Sequence, residues 1–225
     1  MSVVFDLNNF ALVNFSFVQQ SKFMDTKWAE ENLQTIRTLM ERSTIYRRAL
    51  APIMLFAGVL GMAAAAAGLF FHLDSMRAFG FLWLGTAAIV VAGAFLIARR
   101  QAIKDKEKFW SPPTRRVGQA LAPPLFAGMF FGIIFAFVTG LANTVVLTFI
   151  WLLFYGCALH SAGFFMSRGM RLFGWIFVGT ACALLCFIPP NVEVNAHWLM
   201  GFFFGVLHLA YGAYLYLTKK KNPRA

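Results

Sequence analysis

Apolar residues run in six long stretches, at about 50–72, 78–98, 119–141, 143–165, 170–189 and 197–217, and beyond Arg171 at the very start of the fifth, which is counted with the gap before it, the interior of each is free of Asp, Glu, Lys and Arg. About 20 residues is what an α-helix needs to cross the hydrocarbon core. In lipid a helix pairs its own backbone groups, which an open sheet cannot do. The pattern predicts an all-α integral membrane protein with six transmembrane helices. The weakest division falls between the third and fourth stretches, where only Leu141, Ala142 and Asn143 mark a turn. A re-entrant pair is the alternative there.

The charged residues between the stretches add an orientation. Of 20 Lys and Arg, 19 fall before the first stretch, between the second and third, between the fourth and fifth, or after the sixth; Arg77 alone falls in the other set of gaps. Losing or merging one helix would scatter the basic residues over both sides, so this parity supports six spans. The excess of basic residues in cytoplasmic loops then predicts both termini inside.

Composition agrees with lipid as the main solvent. Hydrophobic residues make up 60% of the chain and charged residues 13%, with mean hydropathy +0.67, against roughly a quarter charged in soluble proteins. A net charge of +11 would suggest nucleic acid in a soluble protein. Here the basic residues flank apolar spans, so anionic headgroups are the expected partner and nucleic acid is not. The surface set is Arg42, Arg47, Arg48, Arg99, Arg100, Arg115 and Arg116, with Trp110 as an interfacial anchor beside a rigid Pro112–Pro113 bend. The mixed charges of Lys104 to Lys108 suggest a short helical extension.

Three internal likenesses stand out. Ala49-Leu-Ala-Pro52 matches Ala120-Leu-Ala-Pro123. Met76-Arg-x-Phe-Gly80 with Gly85-Thr-Ala87 matches Met170-Arg-x-Phe-Gly174 with Gly179-Thr-Ala181, and Gly128-Met-Phe-Phe-Gly132 matches Gly201-Phe-Phe-Phe-Gly205. The last two pair span two with five and three with six, a 3+3 duplication whose halves would be inverted in the membrane. The first pair instead fits duplicated two-helix hairpins.

Outside the spans, residues 1–24 read as a disordered or misassigned start, since they lack the basic region of a signal peptide and Met24 reads as an ordinary start. Residues 25–48 form an amphipathic pattern with Ala29, Leu33, Ile36 and Met40 on one face. It is expected to lie along the inner leaflet, with docking of a soluble cytoplasmic partner and self-association as alternatives. The spans occupy 49–218, and 219–225 is a basic cytoplasmic tail.

Little in the interior can carry chemistry. Ion-coupled carriers, proton pumps and voltage sensors place charged groups at depth, and this chain has none there. His208 lies about mid-span with Tyr211 and Tyr214 following. It is expected to bond a hydroxyl such as Thr86, Thr148 or Thr180, or to line a small cavity with Tyr211, Thr86 and Thr180. Cys157, Cys182 and His208 are the residues whose depths would best suit a zinc or copper site, and His72 with His197 is the pair a haem would require. Neither set is enough to expect a metal or cofactor. Gly58, Gly61 and Gly68, with Gly128 and Gly132 or Gly201 and Gly205, predict close helix packing within or between chains. No phosphate loop, serine elbow or HExxH pattern occurs.

At Glu30-Glu-Asn-Leu-Gln-Thr-Ile-Arg-Thr-Leu-Met-Glu-Arg42 and Phe109-Trp-Ser-Pro-Pro-Thr-Arg-Arg116 the chain resembles uncharacterised bacterial multi-pass inner-membrane proteins, from about Met24 onward. The resemblance implies a bacterial plasma membrane and a start at Met24, and no activity. The expected function is a non-enzymatic membrane protein whose basic face meets lipid or a cytoplasmic partner. The alternative is a transporter or channel for a small neutral or apolar solute, with a cavity near His208. An intramembrane enzyme is a third reading.

Overall fold

The computed structural model describes residues 32–33, 49–106, 109–138, 143–187 and 194–220. The chain divides into a unit at Met1–Ser43 and a unit at Thr44–Ala225. Apart from Asn32 and Leu33, the amphipathic segment expected at 25–48 lies outside the described residues, as do Arg42, Arg47 and Arg48.

The second unit is all-helical among its described residues. Its helices are α1 (Ala49–Phe70), α2 (Met76–Lys104), α3 (Pro112–Phe137), α4 (Thr144–Ala162), α5 (Arg168–Phe187) and α6 (Ala196–Thr218), the last interrupted by a π-helical stretch at Gly201–Val206. All six are long and apolar enough to cross a membrane. At 1.5 Å per residue the shortest, α4, with 19 residues, spans about 28 Å. The third and fourth stretches are therefore two complete helices and not a re-entrant pair.

Local chemistry sets the helix ends. Ser75 Oγ accepts from Ala78 N (3.3 Å) at the start of α2, Asn143 Oδ1 from Val146 N (2.9 Å) at α4, and Asn195 Oδ1 from His197 N (2.9 Å) at α6, each satisfying a donor that a helix leaves open. The expected bend at Pro112 and Pro113 is instead the first turn of α3, where a missing N–H costs nothing and the fixed φ suits a helix. α2 runs on to Lys104 but turns at Asp105 and Lys106, so the helical extension expected over Lys104 to Lys108 does not form as far as Lys106, and Glu107 and Lys108 lie outside the described residues. α1 closes with His72 in the left-handed region (φ 50°). There Leu73 N donates to Gly68 O (2.9 Å) and His72 N to Leu69 O (3.4 Å), the pairing of a Schellman cap.

α4 is the most enclosed helix and packs on α2, α3, α5 and α6. Half of its most apolar window is buried, against 6% for α2, whose Phe81, Ile89, Val91, Phe95 and Leu96 are exposed. On a membrane protein such side chains face lipid. Glycines set the closest contacts. A Cβ on Gly174 would meet His160 N at 2.6 Å and one on Gly156 would meet Val178 N at 2.8 Å, so α4 and α5 touch backbone to backbone. α1 and α6 do the same: a Cβ on Gly58 would meet Leu209 N at 2.7 Å, and one on Gly61 would strike the Phe204 carbonyl. Gly128 and Gly132 behave differently from expectation. They make room for the Trp151 indole, whose Nε1 donates to Gly128 O at 2.9 Å.

Two buried clusters share α4 as a wall. One joins Leu50 and Met54 to Phe149, Leu152, Phe173, Phe177 and Phe203; the other joins Ala64 and Ala65 to Phe79, Trp83, Leu147, Trp151 and Met200. α6 passes along both, and it places one buried histidine against each.

Candidate functional site

His208 lies just past the π-helical stretch and is 1% exposed. Its Nδ1 is 3.0 Å from Phe203 O, five residues back along the helix, and its Nε2 is 2.6 Å from Tyr155 Oη on α4. A carbonyl can only accept, so Nδ1 carries the hydrogen, and in the neutral ring Nε2 accepts from the Tyr155 phenol. Phe173, Phe177, Phe204 and Tyr155 surround the imidazole with ring centroids 5.2–5.9 Å away. Every polar atom of the ring is thus used inside an aromatic cage.

The expected threonine partners are elsewhere. Thr86 Oγ1 donates to Leu82 O (2.8 Å) and Thr148 Oγ1 to Thr144 O (2.9 Å), each within its own helix. Such back-bonding satisfies a hydroxyl in lipid without a second helix. Thr180 is half-buried on α5. Tyr211 and His208 share one aromatic neighbour, since Phe173 stacks on Tyr211 at 4.7 Å and sets its edge on His208 at 5.2 Å. Tyr155 had one sequence signal: of five tyrosines it is the only one within the first five spans. A phenol in so apolar a setting needs a partner, and His208 is the deep group able to accept.

His197, at the other end of α6, is also 1% exposed and also complete. Trp83 Nε1 donates to its Nδ1 (3.3 Å), so its hydrogen lies on Nε2 and goes to Leu73 O (3.2 Å). A Cβ on Gly68 would overlap this ring. The Schellman cap that fixes the Leu73 carbonyl therefore also fixes the histidine that reads it. With both nitrogens of His197 occupied and His72 exposed, His197 has no nitrogen free for the pairing with His72 that a haem would require.

The thiols do not converge either. Cys182 and Cys186 are exposed, Cys157 is half-buried, and His208 is enclosed. Among the described residues no three His, Cys, Asp or Glu side chains gather as metal ligands.

At the connection of α2 and α3, Arg99, Arg100, Lys104, Arg115 and Arg116 are all exposed. Trp110 is 64% exposed beside Phe109, which sets its edge against Phe95 of α2 at 4.8 Å. The exceptional Arg77 has a local role: its Nε donates to Ala136 O (3.3 Å) in the last turn of α3, where unpaired carbonyls favour a cation. No family model, curated protein or solved structure matches this chain.

Proposed function

We propose that this chain is a non-enzymatic multi-pass protein of the bacterial plasma membrane, with both termini in the cytoplasm, whose basic end is held against anionic headgroups. The observation that carries this is the exposed basic set Arg99, Arg100, Lys104, Arg115 and Arg116 around an exposed Trp110. An indole seats at the headgroup level, and each basic side chain near an anionic leaflet adds about 1 kcal/mol. The segment at 25–48 adds a second cytoplasmic surface for lipid or a soluble partner.

Reporter fusions at residues 75 and 105 test the arrangement. A periplasmic signal at 75 and a cytoplasmic one at 105 are expected, and the reverse would overturn it. Copurification from native membranes with and without residues 25–48 tests the partner. An unchanged set of bound proteins would remove docking through that segment.

One observation favours a second reading, a carrier or channel for a small neutral or apolar solute built on a 3+3 inverted repeat. Gly128 and Gly132 of α3 receive α4, as Gly201 and Gly205 of α6 receive α1, and a three-helix repeat would equate those pairs. The π-helical turn of α6 would then be its moving part, since such turns recur at functional sites. Leu207→Cys in a cysteine-free background, probed with a membrane-impermeant thiol reagent from each side, tests this. Labelling from both sides supports alternating access, and protection from both removes it.

A further inference from the structure

We propose that the α4–α5 turn is a seat for one anionic phospholipid, its phosphodiester held by Arg171 and Arg168 and its glycerol-ester region by His160. The proposal rests on the reading that this end of the molecule meets an anionic leaflet, and it assigns that contact to particular atoms.

Two polar atoms here are buried without a hydrogen-bond partner among the described residues, His160 Nδ1 and Ser167 Oγ. Buried polar atoms are nearly always paired, so one orphan in the last turn of α4 and another just before α5 call for a ligand. Ser167 immediately precedes α5, and its backbone carbonyl accepts from Met170 N (3.0 Å), while its hydroxyl has no partner among the described residues.

At the same turn Arg171 is a positioned cation. Arg171 passes over Gly163, where a Cβ would meet Arg171 N at 2.8 Å, and its guanidinium sits 5.3 Å from the Phe164 ring centre. Resting on an aromatic face fixes the plane of the guanidinium and leaves its edge for a phosphate. No acidic side chain occurs between Asp105 and Glu193 except Glu107, so no carboxylate of α3, α4 or α5 competes.

The surroundings select a lipid over a free anion. His160 faces Gly174, three residues along α5 from Arg171, which puts it about 4.5 Å deeper at 1.5 Å per residue. Its ring meets Phe164 and Trp175 edge-on, each at 5.2 Å, and those two rings are 63% and 57% exposed. Cations at the mouth, an imidazole one turn below, and exposed aromatic rings alongside follow the order of phosphate, ester and acyl chain in a phospholipid.

The test is native mass spectrometry of the full chain in neutral detergent, with phosphatidylglycerol and phosphatidylcholine of the same acyl chains. The chain is expected to retain phosphatidylglycerol preferentially. Arg171→Gln, which keeps the Cγ packed on Gly163, is expected to weaken the first bound phosphatidylglycerol about fivefold. His160→Leu with Arg171→Gln should weaken it further, and Arg171→Lys less. Retention of the wild-type thermal midpoint separates site loss from misfolding. An unmodified chain with no preference would sink the wider basic-end reading along with the seat. A preference that survives in the double variant overturns the seat alone, as does full competition by water-soluble glycerol phosphate.

Discussion

The bond between Tyr155 and His208 is a short polar contact among aromatic rings, and Tyr155→Phe removes it with little change of shape. The phenol hydrogen is lost and His208 Nε2 is stranded among Phe173, Phe177 and Phe204. Interhelical hydrogen bonds in membrane proteins average about 0.6 kcal/mol and reach about 1.7. A buried acceptor left without a donor costs about 1–3 kcal/mol. The 2.6 Å separation and the burial of His208 place the expected loss at about 1–2 kcal/mol. His208→Leu should cost as much or more, because it strands the phenol and withdraws a donor from the Phe203 carbonyl. Once either partner is gone the other contributes nothing, so the double variant should lose about 1 kcal/mol less than the sum of the singles. Reversible unfolding in mixed micelles measures all four proteins, and Tyr214→Phe, on an exposed ring, is the silent control. Additivity within about 0.3 kcal/mol would show that the short contact carries no coupling and refute the reasoning.

Gly174→Ala should destabilise by about 1–3 kcal/mol, because its methyl would meet the His160 backbone at 2.6 Å. Gly85→Ala and Gly179→Ala, with nothing within 4 Å, should be neutral or stabilising by up to about 1 kcal/mol; thermal midpoints separate the two classes, and equal losses would refute the helix contacts. His72→Gly should raise stability by about 1 kcal/mol and His72→Val lower it, since the left-handed φ of 50° burdens any residue with a Cβ. A destabilised glycine variant would show that the cap is misassigned. Trp83→Phe should cost about 1 kcal/mol by stranding His197 Nδ1, and should speed amide exchange at Leu73 by loosening the histidine that holds its carbonyl. Unchanged exchange would argue against the latch.

His208 and its neighbours show where sequence reading stops. The length of each apolar stretch and the absence of interior charge determined that six helices form, because a bilayer admits few other solutions for the backbone. Capping by Ser75, Asn143 and Asn195, and close packing at Gly58, Gly61, Gly201 and Gly205, likewise follow from residue type and spacing. That His208 needs a partner is legible from an imidazole in an apolar span. Which partner it takes is not.

Choosing Tyr155 over Thr86, Thr148 or Thr180 depends on how far each helix is rotated about its own axis. That rotation is set by packing between helices distant in the chain. The same holds for Trp151 filling the gap at Gly132 and for Arg77 reaching the end of α3. It holds too for the two histidines of α6, one facing Trp83 and the other Tyr155. Hydrophobicity along one chain determined which segments enter the membrane; only the tertiary structure decided which polar atoms meet there, because in lipid each must find a partner across whatever helix packing brings near.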